Sequence, residues 1–173
     1  LCIFAQILMK IKMRKSFLPS FLALFLIIAG CSKNDTKCPY SDQVITVPAS
    51  EITALETYLS GKGITNAVKD SRGFYYTIEN PGAGATPELC SDISIYYIGK
   101  LTNDIVFDQT SGSTRTFTLG RLIPGWIKGI PLIKTGGKII LYLPPSLGYG
   151  DKPNGTIPAN SILIFDIELV GVQ

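Results

Sequence analysis

The chain contains no histidine. That absence excludes Ser-His-Asp and Cys-His nucleophilic catalysis, HExxH zinc sites and the commonest general base near neutral pH. Cysteine is scarce, at four residues, and no CxxC pair occurs. Thioredoxin-like redox chemistry and cysteine zinc clusters are therefore poor readings. Tryptophan occurs once, as Trp126, and there is no internal repeat or low-complexity tract. The positive charge of +3 is confined to one end. Four of the 16 basic residues (Lys10, Lys12, Arg14, Lys15) precede Cys31 and no acidic residue does, which leaves 12 basic against 13 acidic residues. No basic stripe remains, so nucleic acid is not an expected partner.

What is present begins with an address. Arg14 and Lys15 precede an apolar run from Phe17 to Ala29, interrupted by Pro19-Ser20 and followed by Gly30-Cys31. A spanning helix needs roughly 20 apolar residues, so residues 1–30 read as a secretory signal peptide, with 1–12, ahead of Met13, as an upstream start. Ile28-Ala29-Gly30-Cys31 resembles a bacterial lipobox, in which Cys31 carries the lipid. Ser32 rather than Asp after it points to the outer membrane of a bacterial envelope. Residues 31–47 are then a lipidated cysteine and a polar tether. Export permits disulfides, and Cys38 with Cys90 are the two thiols left to pair; two unrelated thiols are the other possibility.

The folded part divides into a helix with its linker (48–72) and a strand-rich domain (73–173). Over Pro48–Gly63, Ile52, Leu55 and Leu59 fall at helical spacing, with Ser50 as the expected N-cap and Gly61 or Gly63 as the stop. The period then changes to two. Ile93, Ile95 and Tyr97 share one face, as do Ile139, Leu141 and Leu143, and as do Leu163, Phe165, Ile167 and Leu169, with Asp166 and Glu168 opposite. Apolar strand faces need a cover. The candidate between the strands is the segment "LIPGWIKG", a short helix that starts at Pro124-Gly125 with Trp126 on its first turn. The expected class is α+β: a curled antiparallel β-sheet of about five strands wrapped around one short helix, preceded by a short N-terminal helix.

Several large apolar residues stand at strand ends and turns instead of strand centres: Phe107, Phe117, Leu122, Ile123, Trp126, Tyr149 and Ile157. Such residues line pockets more often than they fill cores. Tyr97, Asp108 and Tyr149 would add a few polar groups to an apolar bowl.

Taken in order, "YYIGKLTNDIVFDQT", "FTLGRLIPGWIKGIPLIKTGGKIILYLPPSLGYG" and "TIPANSILIFDIELVGV" resemble the FKBP-type peptidyl-prolyl isomerase family, over about Phe74 to Val172. The resemblance is greatest to exported bacterial lipoproteins of that kind. It implies that Trp126 is the floor of a hydrophobic pocket for a substrate proline. Tyr97, Phe107 and Asp108 match the family's first wall, and Phe117 an aromatic beside it. Leu122 and Ile123 match the aliphatic pair before the helix, the second offering a backbone N–H to a bound carbonyl. Tyr149 matches a tyrosine whose hydroxyl meets the ligand; Ile157 and Phe165 match the far wall. Arg115 is near the family's arginine partner for the aspartate but out of register with it, and the "DKPNG" loop lacks a histidine that many members carry.

The implied activity is peptidyl-prolyl cis-trans isomerisation, without cofactor or metal. Implied partners are proline-containing polypeptides, macrolide inhibitors and, through Cys31, a membrane. A monomer is expected, since the first helix is short. The alternative on the same fold is an envelope chaperone or peptide-binding module with little turnover.

Overall fold

In this computed structural model, residues 38–173 are described. The signal peptide, the lipobox and Cys31 lie outside them. Two α-helices and seven strands follow in order: α1 (Ala49–Gly61), β1 (Val68–Lys69), β2 (Tyr75–Asn80), β3 (Asp92–Leu101), β4 (Val106–Gln109), β5 (Arg115–Thr118), α2 (Pro124–Gly129), β6 (Gly137–Leu143) and β7 (Leu163–Val172). The strands form one antiparallel sheet in the order β1-β2-β6-β7-β3-β4, with β5 also on β3. The count exceeds the expected five; the short strands at 106–109 and 115–118 fall within "IVFDQT" and "RTFTLG", while β1, two residues long, is too short for alternation to reveal.

Ten-residue β3 organises the sheet. One edge pairs with β7 along its length, while the other takes β5 near its start and β4 near its end. Its register slips at Ser94/Ile95 and at Gly99/Lys100. Such bulges bend a strand and add twist, and here they curl the sheet. The expected strand faces hold: Ile93, Ile95, Tyr97, Ile139, Leu141, Leu143 and the β7 set from Leu163 to Leu169 are all buried in one cluster with Trp126.

The opposite face carries α1. Leu55 and Leu59 pack with Tyr142, Ile140 and Ile164 in a second cluster. The expected cap is corrected. Pro48, not Ser50, is the N-cap, and no side chain caps the helix. Proline's fixed φ suits that position, and its carbonyl accepts from the Glu51 and Ile52 amides. Glu51 instead accepts hydrogen bonds from the backbone and hydroxyl of Ser146. At the far end, Ile64 N–H donates to the Leu59 carbonyl and Gly63 N–H to that of Ser60, with Gly63 at φ +67°. This doubly bonded glycine stop places Ile64 against the same apolar cluster.

The tether reading fails for residues 38–47. Cys38 is disulfide-bonded to Cys90, the Tyr40 hydroxyl accepts from Arg121 Nε at 2.6 Å, and Ile45 and Val47 pack against the main core. The polar composition concealed anchors at alternate ends of the segment. No helix of the described residues is long and apolar enough to cross a membrane.

Candidate active site

Helix α2 delivers Trp126 to the inside of the curl. Pro124 is its first residue, where a missing N–H costs nothing. Gly125 and Gly129 lie four apart and therefore on one side of the helix. A Cβ on the first would lie 2.4 Å from Leu143 Cδ1, and one on the second 2.6 Å from Leu141 Cδ1. The absence of both side chains lets α2 lie directly on β6.

The indole is enclosed edge-to-face by three rings. Its centroid lies 5.2 Å from Tyr97, 5.0 Å from Phe165 and 6.3 Å from Phe117, at interplanar angles of 79°, 83° and 80°. Aromatic pairs favour this geometry because a ring's positive edge meets a negative face. Phe107 continues the wall, 5.5 Å from Phe165 at 88°. Gly99, between the strands bearing those two rings, has no side chain to block them: a Cβ there would lie 2.7 Å from Phe107 and 2.9 Å from Phe165. Trp126 is 5% exposed and its Nε1 has no hydrogen-bond partner. Phe107, Phe117, Leu122 and Ile123 are half-buried around the same core, Ile157 is buried, and Tyr149 is 39% exposed in a turn. Among the described residues the Ile123 N–H, just ahead of α2, has no backbone acceptor.

One side of the aromatic box is polar. The Tyr97 hydroxyl donates to Asp108 Oδ2 at 2.5 Å and accepts from Arg115 Nη1 at 2.7 Å. The same nitrogen is 3.1 and 3.2 Å from the two Asp108 oxygens, and the guanidinium lies 5.7 Å from the Tyr97 ring centroid. Arg115 thus joins the aspartate despite its displaced position in the sequence. The register explains how: Arg115 pairs with Ile95 and Phe117 with Ile93. Two residues apart on one strand, they share a face, so placing Phe117 in the bowl places Arg115 there as well. That was the available signal.

Burial, and then the hydrogen bond to Asp108, push the Tyr97 phenol up to about 12. Burial, followed by the charge of Asp108, also raises Tyr149. An unfolded tyrosine ionises near 10, so between pH 10 and about 12 the unfolded chain has lost a proton that the folded one keeps. Stability linked to Tyr97 is therefore complete below pH 10 and falls as pH rises towards 12. A spectrophotometric tyrosine titration should show a late-ionising phenol that is missing in Tyr97→Phe. The same titration curve in both proteins would contradict the buried hydrogen-bonded geometry.

Among the described residues no group of histidine, cysteine, aspartate and glutamate could hold a metal. A separate cavity of about 160 Å³ lies on the α1 side of the sheet, between Tyr58, Ile98, Ile140, Tyr142 and Ile164, and shares no residue with the aromatic box.

A sheet curled over a short helix, presenting an indole within an aromatic box with one polar wall, defines the class of fold. Residues 84–170, half of the chain, match the family model described as FKBP-type peptidyl-prolyl cis-trans isomerase. The chain belongs to that family. Curated relatives include the FKBP-type peptidyl-prolyl cis-trans isomerases FkpA of Aeromonas hydrophila, 37% identical over 121 residues (68% of this chain, 45% of the relative), and of Escherichia coli K12, 38% identical over 120 residues (68% and 43%). The chain spans less than half the length of these relatives. Among solved structures, Escherichia coli FkpA superposes with a TM-score of 0.65 at 34% identity, covering 72% of this chain and 60% of that one. A Pseudomonas syringae peptidyl-prolyl cis-trans isomerase gives 0.63 at 29% identity, covering 75% and 98%.

Proposed function

We propose that this domain catalyses cis-trans isomerisation of X–Pro bonds in polypeptides folding in the bacterial envelope. The observation that carries the reading is the Trp126 indole at the base of a box walled by Tyr97, Phe117 and Phe165, with hydrogen-bonding groups on one side only. A pyrrolidine ring is apolar and compact, and it would enter by parting the half-buried Phe107 and Phe117 and the exposed Tyr149. Leu122, Ile123 and Ile157 would complete the apolar lining.

Rotation about an X–Pro bond meets a barrier of roughly 18–20 kcal/mol and takes tens to hundreds of seconds unaided. No covalent bond is made or broken, so no nucleophile or proton carrier is needed, which suits a chain without histidine. Moving the amide carbonyl out of water and holding the twisted form weakens the resonance that opposes rotation. A thousandfold acceleration needs only about 4 kcal/mol of preference for the twisted state. In this reading the Ile123 N–H takes the carbonyl preceding the twisted bond. Asp108, steadied by Tyr97 and Arg115, provides a fixed negative field at the rim and orients the bound chain, with no role as a general base. Tyr149 donates its hydroxyl hydrogen from the rim of the box.

The test is a protease-free proline-isomerisation assay on an X–Pro peptide, with refolding of a proline-limited protein beside it. Turnover is expected for the wild type, with Asp108→Leu lowering kcat/KM by about tenfold to a hundredfold, the equivalent of about 1.5–3 kcal/mol for hydrogen bonding to a charged group. Macrolide binding without turnover would instead mark a peptide-binding module. We further propose that Cys31 bears the lipid that holds the domain at the outer membrane, as a monomer. Labelling with a fatty acid that Cys31→Ala abolishes tests the anchor, and sedimentation tests the state.

A further inference from the structure

The isomerase reading leaves one buried ionic group next to the box without a role. Lys128, on α2, is 3% exposed. Trp126 and Lys128 leave the helix about 200° apart, so while the indole enters the bowl the lysine points to the other side. There its Nζ donates to the Asp42 carboxylate and, at 2.8 Å, to the Gln43 carbonyl. The surroundings are charged in alternation. Asp70, held below the usual carboxylate range chiefly by Arg72, is lowered further by Lys128, and Arg72 in turn feels Asp42. A leucine at 128 would cover the same apolar surface without the cost of enclosing an ammonium, which is tolerable only when paired. What leucine could not do is grip the segment that carries Asp42.

That segment is itself held at three places. Cys38 is bonded to Cys90 at one end. Tyr40 lies on Gly120, where a Cβ would come within 2.4 Å of its ring, and is bonded to Arg121. Ile45 and Val47, partly buried, pack against the main core at the other end. Helix α2, in contrast, has six residues, too few to be rigid by its own hydrogen bonds. Its tilt is set by what holds its two sides: Leu141 and Leu143 against the glycine side, and the 38–47 strap against the lysine.

We infer that Asp42, acting through Lys128, is a positioning residue for Trp126. The strap clamps the outer side of α2 and sets the depth and tilt of the indole in the box. The inference rests on the isomerase reading only for its turnover readout, because Trp126 is the sole tryptophan and reports its own surroundings by fluorescence.

The test uses the full chain with Lys128→Met, which keeps the unbranched apolar stem but for the terminal nitrogen and removes the charge, Asp42→Asn, which keeps shape and removes the carboxylate, and Asp42→Glu, which restores it. In the first two, acrylamide quenching of Trp126 should rise and its emission shift to the red. Their kcat/KM on an X–Pro tetrapeptide should fall by about tenfold to a hundredfold, the scale on which small misplacements act. Asp42→Glu should stay near wild type. Unchanged quenching and kcat/KM in both charge-removing variants overturns the inference, and so does a lower Tm with Trp126 signals unmoved, which is what a merely structural ion pair gives. Should Lys128→Met fail to fold, Asp42→Asn decides. If the wild type has no turnover, the isomerase reading fails, and the quenching comparison still decides the clamp.

Discussion

Trp126→Ala is expected to reduce X–Pro turnover to the uncatalysed rate and to lower the unfolding free energy by about 3–5 kcal/mol, the usual cost of emptying a large aromatic site in a core. Both losses have one origin. The indole is 5% exposed and is the common neighbour of Tyr97, Phe117 and Phe165. Its removal deletes three edge-to-face contacts, each contributing about 0.5–1.5 kcal/mol beyond buried area. It also turns the floor of the box into a void. Trp126→Leu separates the two effects, because leucine refills part of the volume and keeps the domain folded while presenting no flat surface to a pyrrolidine ring. Urea unfolding and the protease-free assay read them independently. Wild-type kcat/KM in a folded Trp126→Leu protein would remove the indole from the mechanism.

The second large effect concerns residues with no side chain. In Gly125→Ala and Gly129→Ala the new methyl groups fall 2.4 Å from Leu143 Cδ1 and 2.6 Å from Leu141 Cδ1. Both leucines are fully buried, so neither can swing away freely. Overpacking of this kind costs typically about 1–3 kcal/mol at each site. Replacing glycine by alanine inside a helix returns up to about 1 kcal/mol, so the clash outweighs the gain. The double variant should be less stable than either single one, and α2 should rise from β6 and tilt the indole, so that kcat/KM falls with stability. Shortening the facing leucine supplies the control. Leu143→Val combined with Gly125→Ala should recover stability relative to the sum of the single changes, because residues in contact do not act additively. Strict additivity in that cycle would show that the helix and β6 are not in the contact described.

Much of this architecture was readable beforehand because it depends on local periodicity. A period of two assigns Ile93, Ile95 and Tyr97 to one face whatever lies across from them, and the buried set follows that assignment. The first helix was visible from Leu55 and Leu59, although its cap was not, because a proline carbonyl serves as well as a serine hydroxyl at that point. Phe107, Phe117 and Trp126 stood out as large apolar residues at strand ends and turns, and the structure sets them beside Tyr97 and Phe165 of the strand faces. Arg115 was set aside as out of register, yet it meets Asp108 because β5 pairs with β3 so that Arg115 and Phe117 share a face. The strap was missed because a polar composition describes average solvation and does not show where single residues such as Tyr40, Asp42 and Val47 find partners.

The sequence by itself determined the absence of imidazole chemistry, the strand faces, the short helix opened by Pro124 and the residue types that surround Trp126. Each of these follows from side-chain chemistry or from spacing within a few residues. Only the tertiary structure decided that Gly125 and Gly129 mark a helix–strand contact, that Arg115 completes the polar wall, and that Lys128 is bonded to a segment 86 residues away. Those are encounters between distant parts of the chain. Their energies exist only once the sheet has curled, so no local pattern carries them.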